Sequence, residues 1–96
     1  MREYEIMLIL PPEAEEATVS GVVERITGVL SQSGGEVSQV DQWGRRRLAY
    51  EIARKTEGYY VIVRFKAEPT TILELERVLS LADEVIRHKV VLRQAA

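Results

Sequence analysis

Tyr59-Tyr60-Val61-Ile62-Val63-Arg64-Phe65-Lys66 is the stretch that decides the fold. Its odd positions, Tyr59, Val61, Val63 and Phe65, are all apolar. Its even positions, Tyr60, Ile62, Arg64 and Lys66, mix apolar with cationic side chains. Successive side chains of a strand point to opposite faces, so this alternation predicts a strand with one core face and one mixed face. Just upstream, Arg54-Lys55-Thr56-Glu57-Gly58 reads as the polar tip of a hairpin. The strand before that tip runs from Val37 to about Ile52. Leu48, Tyr50 and Ile52 share one parity in it, while Val37 and Trp43 have the other. Gly44 lies between the two sets, and a bulge or bend there would shift the register by one and reconcile them.

Working outward, Pro69-Thr70-Thr71 opens a helix, with Thr71 and Glu74 at capping-box spacing and Ile72, Leu75, Val78 and Leu79 as its buried stripe. Asp83-Glu84 turns the chain into a last strand, Val85 to Arg93. Val90 and Leu92 face the core there, and Arg87, Lys89, Val91 and Arg93 face away. At the other end, Tyr4, Ile6, Leu8 and Leu10 alternate with Glu3, Glu5, Met7 and Ile9 as a first strand, which Pro11-Pro12 ends. Glu13, Glu15 and Glu16 suit the first turn of a helix, where negative charge is favoured. Val19, Val22, Ile26, Val29 and Leu30 form its apolar stripe, and Gly34-Gly35 stops it.

The order strand, helix, strand, strand, helix, strand folds, with right-handed crossovers, into a four-stranded antiparallel sheet with both helices on one face. The expectation is therefore an α+β, ferredoxin-like βαββαβ domain covering residues 1–96. Its second sheet face has no helical cover. On the parities above, that open face collects Met7, Ile9, Tyr60, Ile62, Arg64, Arg87, Lys89, Val91 and Arg93, an apolar centre rimmed by cations. Contiguous exposed apolar surface marks a partner site; against that stands the blander reading of a merely solvated face.

Net charge is −2, so the chain as a whole is no general polyanion binder. The charge is unevenly spread. Residues 1–41 carry two basic and eight acidic side chains, residues 42–66 seven and two, and residues 67–96 four and five. A positive middle inside an acidic protein can hold a polyanion locally. Arg45-Arg46-Arg47 is its densest part. Forked guanidinium donors suit phosphate oxygens, although an arginine triplet can equally be a solvated edge that blocks aggregation.

Several chemistries are excluded or weakened. There is no cysteine, so neither disulfides nor thiolate metal sites can form. His88 is the only histidine, sits on the inward parity, and has no companions for a zinc site. No apolar run approaches the roughly eighteen residues of a membrane span, and the N-terminal stretch lacks the order of a signal peptide; a cytoplasmic location is expected. No serine nucleophile motif or glycine-rich phosphate loop is present. An acylphosphatase-type hydrolase would need such a loop after the first strand, where Pro11-Pro12-Glu13 stands instead. Glu57-Gly58-Tyr59-Tyr60-Val61 fails the basic-Gly-aromatic-small-aromatic signature of the RNA recognition motif, which leaves Tyr59 as a core residue. Neither enzymatic activity nor a cofactor, metal or small-molecule substrate is expected.

Individual residues add a resemblance. Met1-Arg2-x-Tyr4-Glu5, Gly34-Gly35, Trp43-Gly44-x-Arg46-Arg47-Leu48-Ala49-Tyr50-x-Ile52, Gly58-Tyr59-Tyr60 and Val85-Ile86-Arg87 together make the chain similar to the bacterial small-subunit ribosomal protein six family, over essentially its whole length. The resemblance implies a ribosome-associated, non-catalytic protein. It also implies pairing with small-subunit ribosomal protein eighteen and joint binding of the central domain of the small-subunit ribosomal RNA during assembly. Carried onto this sequence, it points to Arg2, Arg46, Arg47, Arg87 and Lys89 for RNA phosphate contacts, with Arg45 and Arg54 behind them. Met7, Ile9, Val40, Trp43, Tyr50, Tyr60, Ile62 and Val91 are expected to meet the protein partner. The alternative from a different class is a small-molecule-binding regulatory domain on the same fold.

Overall fold

The alternation in residues 59–66 is realised as part of a longer strand. The computed structural model describes residues 1–52 and 54–93. Its elements are β1 (Arg2–Leu10), α1 (Glu16–Gln32), β2 (Glu36–Ile52), β3 (Lys55–Ala67), α2 (Pro69–Ser80) and β4 (Arg87–Leu92). The strands form one sheet in the order β2-β3-β1-β4, with every neighbouring pair antiparallel. This is the ferredoxin-like arrangement that the element order dictates.

One face of the sheet supplies Tyr4, Ile6, Leu8, Leu10, Val61, Val63, Phe65 and Ala67 to a single buried cluster. Val19, Val22, Ile26 and Leu30 of α1 and Leu75 and Leu79 of α2 cover it. Tyr4 and Phe65 are cross-strand partners and stack with ring centroids 5.6 Å apart. Tyr59 packs against this cluster, and its hydroxyl reaches Gln42 at 3.0 Å. The helix ends have separate causes. After α1, Gly34 takes φ 79°, and the N–H groups of Gly35 and Gly34 donate to the carbonyls of Leu30 (2.7 Å) and Ser31 (3.2 Å). This is a Schellman stop, which only a residue tolerant of the left-handed region closes without strain. Gly35 is required for a second reason: a Cβ there would lie 2.7 Å from the carbonyl oxygen of Lys66.

Three local expectations need correction. The capping box at Thr71 does not form. Proline at position 69 has its φ preset for a first helical residue, so α2 begins there, Thr71 falls inside its first turn, and Glu74 pairs with Arg77 instead. The hairpin tip is tighter than residues 54–58: Ile52 pairs directly with Lys55, and Arg54 carries φ 64°. The last strand starts at Arg87 rather than Val85. Val85 packs on the core, and a two-pronged Arg25–Glu84 ion pair (3.0 and 3.1 Å) ties α1 to the chain entering β4. Leu92 has the inward parity but is 41% exposed, because β4 is an edge strand and this is its last residue. His88 is half-buried opposite Leu8, on the inward side.

Candidate nucleic-acid and partner interface

The strand register lays out the helix-free face row by row. Across the sheet run Gly44, Tyr60, Ile9 and Arg87; then Asp41, Ile62, Met7 and Lys89; then Gln39, Arg64, Glu5 and Val91; then Glu36, Lys66 and Glu3, where the N–H of Arg93 donates to the Glu3 carbonyl. The two ends of this face differ in chemistry. At the Glu3–Glu5 end the cations are matched: Arg64 meets Glu5 at 3.2 Å and Gln39 at 3.3 Å, Lys66 meets Glu3 at 3.8 Å, and Arg93 meets Glu5 at 3.9 Å. At the Tyr60–Arg87 end the side chains are aromatic, aliphatic or cationic, with no carboxylate in that row.

β2 reaches this end through three register shifts, where sequence parity allowed for one. The first lies between Val37 and Gln39, the second between Gln42 and Gly44, and the third between Arg47 and Ile52. Gly44, at φ 80°, bends the chain as expected. The residues around it are distributed differently from the expectation. Trp43 turns onto the open face and stacks on Tyr60, with centroids 6.5 Å apart and planes 10° apart, and the Arg46 guanidinium lies 5.5 Å from the Trp43 ring.

The third shift is the largest. Between the pairs Arg47↔Glu57 and Ile52↔Lys55, β2 has four residues, Leu48 to Glu51, where β3 has only Thr56. The surplus bows over the open face. Leu48 is only 8% exposed although both its neighbours are exposed. It reaches Gly58 beside Ile9: a Cβ on Gly58 would stand 2.6 Å from Ile9 Cγ2 and 3.3 Å from Leu48 Cδ2. Tyr50 goes further. Its hydroxyl accepts a hydrogen bond from Nη1 of Arg87 on the far edge strand, whose guanidinium lies 5.7 Å from the Tyr50 ring. The open face is therefore not bare. Ile9 and Ile62 are 7% and 3% exposed, and a surface reading of those two residues is corrected.

The candidate residues fall into groups. Met7 is half-buried in the row between Ile62 and Lys89, while Trp43, Tyr50 and Val91 are 51%, 60% and 47% exposed on the open side. Val40 pairs with Val63, which places it on the helix-side parity at the β2 edge, away from the other partner candidates. Arg46, opposite Gly58, and Arg87 and Lys89 on β4 share the open face. Arg45, opposite Tyr59, has the helix-side parity, and its Nε donates to the Pro12 carbonyl at 3.2 Å. Arg47 and Arg54 are exposed along the hairpin arm. Arg2, opposite Ala67, stands apart: it is seven residues along β1 from the Ile9 row, about 23 Å at strand rise.

The remaining cations reveal a division. Of thirteen lysines and arginines, Arg25, Lys55, Arg64, Lys66, Arg77 and Arg93 have a carboxylate within ion-pair distance. The seven with none among the described residues are Arg2, Arg45, Arg46, Arg47, Arg54, Arg87 and Lys89, the same seven that sequence reasoning singled out. The three shifted acids all belong to these pairs, although the pairing is not always the largest cause. Glu13 lies below the usual carboxylate range because its own backbone N–H and then the Lys55 ammonium stabilise its anion. Glu84 is lowered by its backbone N–H and then by Arg25, and Glu74 by Arg77.

A groove of about 320 Å³ beside the start of α1 is lined by Pro11, Glu13, Ala14, Glu15, Thr18 and Glu84. Its acidic lip repels phosphate, although Arg45 and Lys55 bond the Pro12 carbonyl and Glu13 beside it. No cluster of three potential metal ligands occurs among the described residues.

Comparison with known proteins decides the family. The family model described as ribosomal protein S6 matches residues 3–92. The chain belongs to the ribosomal protein S6 family. The small ribosomal subunit protein bS6 of Mycolicibacterium paratuberculosis is 54% identical over 90 residues, 94% of each chain. That of Carboxydothermus hydrogenoformans is 47% identical over 91 residues, 95% of each. The crystal structure of 30S ribosomal protein S6 from Thermotoga maritima superposes with a TM-score of 0.86 at 31% identity, covering 96% of this chain and 87% of that one. Membership in the S6 family makes this a structural, ribosome-associated protein of the small subunit, working in the cytoplasm.

Sequence reasoning missed the role of Leu48. The only sequence signal for it was a leucine directly after three arginines.

Proposed function

We propose that this S6-family chain binds the central domain of the small-subunit ribosomal RNA, together with small-subunit ribosomal protein eighteen, during assembly. The observation that carries the reading is the set of seven cations without carboxylate partners among the described residues, in a chain of net charge −2. A cation already paired gives up a carboxylate to meet a phosphate, whereas these seven have no such ion pair to break. Arg46, Arg87 and Lys89 cluster on one face, beside a stacked Trp43–Tyr60 pair with an exposed indole. That combination suits a ribonucleoprotein surface, in which phosphate contacts position and aromatic and apolar contacts meet the protein partner.

The test is fluorescence anisotropy with a central-domain RNA fragment, with and without the partner protein. Tight binding is expected only with the partner present, weakening steeply as salt rises. The double substitution Arg46→Ala with Arg47→Ala should weaken binding and flatten the salt dependence by up to about two phosphate contacts, while the melting temperature holds. Strong binding without the partner, or affinity indifferent to both substitutions, would overturn the reading.

A further inference from the structure

Tyr50 and Arg87 meet although they belong to opposite edges of the sheet. β2 is one edge and β4 the other, with β3 and β1 between them. At a strand spacing of about 4.8 Å, the two edges lie roughly 14 Å apart. Two features allow the crossing. The β2–β3 arm runs past the end of β1, whose last paired position is Leu10↔Tyr59. The four residues of β2 that stand against Thr56 then lie low over the sheet, because Gly58 has no side chain to hold them off.

Core formation does not account for Tyr50. The residue stays 60% exposed, so burial contributes little to its placement. What it touches is Arg87, through one hydroxyl hydrogen bond and one ring contact. Arg87 has no carboxylate partner among the described residues, so its full positive charge stays available. A free arginine side chain loses rotamer freedom when it is fixed, at a cost to binding. Here that freedom is restricted before any ligand arrives, and only one of the five N–H donors is spent on the tyrosine.

We infer that Tyr50 is a positioning residue: the strap Leu48–Glu51 closes over the open face as a clasp that presents the Arg87 guanidinium, pre-oriented and still fully charged, to an RNA phosphate. This rests on the RNA-binding reading above and gives Tyr50 a role different from partner contact. Leu48 anchors the clasp and Tyr50 closes it. The Trp43–Tyr60–Arg46 group and Arg87 thus become the two ends of one row spanning the sheet.

Two measurements on the full chain test the inference separately from the RNA reading. The first is proton exchange at the Arg87 Nε–H, followed by nitrogen-15 NMR without RNA. Tyr50→Phe should accelerate it while the backbone spectrum keeps its dispersion. An unchanged Arg87 signal overturns the clasp whether or not RNA binds. The second is affinity for the central-domain RNA in the presence of the partner protein. Tyr50→Phe should weaken it about three- to tenfold, the range of one lost hydrogen bond, with the salt slope unchanged because no charge is lost. Arg87→Ala should lower the slope by about one. Adding Tyr50→Phe to Arg87→Ala should then cost nothing further. If Tyr50→Phe weakens binding equally in both backgrounds, Tyr50 contacts a partner directly and the inference fails. If the wild-type chain orders Arg87 but binds no RNA even with its partner, the RNA reading falls and takes the purpose of the clasp with it.

Discussion

The two faces of the sheet are covered by different means. The face carrying Phe65 is closed by two separate helices, and its strand residues Ile6, Leu8, Leu10, Val61 and Val63 are fully buried. The face carrying Ile9 and Ile62 is closed in part by its own edge strand, through one leucine and two aromatic contacts. The first is a core that two helices can seal over nine residues of each central strand. The second is a thin cover, buried at its centre and open around its rim, and Arg46, Arg87 and Lys89 stand on that rim. A binding face needs this compromise, because full cover would hide the cations and none would leave a wide apolar patch exposed.

The contrast predicts unequal penalties. Phe65→Ala should cost about 3–5 kcal/mol, since its cavity lies between helices and sheet and collapses poorly. Leu48→Ala should fall at the low end of the leucine range, about 2 kcal/mol, because a surface strap can relax. Urea denaturation of both variants checks this, and equal losses would erase the distinction between the faces. Gly58→Ala comes next, at about 1–3 kcal/mol, because its Cβ would stand 2.6 Å from Ile9 and push the strap away. A lower melting temperature together with altered Trp43 fluorescence is expected; an unchanged protein would show that the strap is not seated on Gly58.

The helical surface away from both faces serves as a control. Gly21 and Gly28 lie within α1, and a Cβ at either meets nothing within 4 Å. Replacing each with alanine should stabilise the fold by roughly 0.5–1 kcal/mol without touching RNA affinity. The smallest effect is acidic. Glu13, Glu74 and Glu84 sit below their ordinary value of 4.5 in the folded chain, so the unfolded chain binds their protons more readily. Their stabilisation is present above about 4.5 and is lost as pH falls through the lower folded values. Glu13 and Glu74 are exposed and Glu84 is only half-buried, so the change is small. Glu84→Gln should flatten the acid limb of a melting-temperature profile, and a slope identical to the wild-type one would remove the Arg25–Glu84 tie from the account.

The sequence was legible where one rule applied without interruption. Alternation in β1 and β3, the 3.6-residue stripe of α1 and the Gly34–Gly35 stop all appear where the residues indicated. For the site, the sequence showed a basic middle segment, but which of its cations meets a carboxylate depends on cross-strand register: Arg64 and Lys66 belong to it and pair with Glu5 and Glu3 of β1. Parity failed in β2. Each register shift reverses the face of everything beyond it, and three shifts occur where Gly44 announced one. The other two arise from how many residues of β2 lie opposite β3, a property of the pairing rather than of either strand. Ile9 and Ile62 were placed on the correct face, but their burial depends on Leu48, whose side followed from the shift that parity could not see. The capping box failed for a local reason, a proline two positions earlier that starts the helix first.

The four-against-one mismatch at Leu48–Glu51 also gives the hairpin slack. An extra residue inserted in the middle of β3 would turn Val63 and Phe65 outward and dismantle the core. An extra residue in the strap enlarges a bow that already exists, with Arg47↔Glu57 on one side and Ile52↔Lys55 on the other left as they are. Length can therefore vary at that point while the scaffold stays fixed, and the number of residues there sets how far across the sheet the arm can reach.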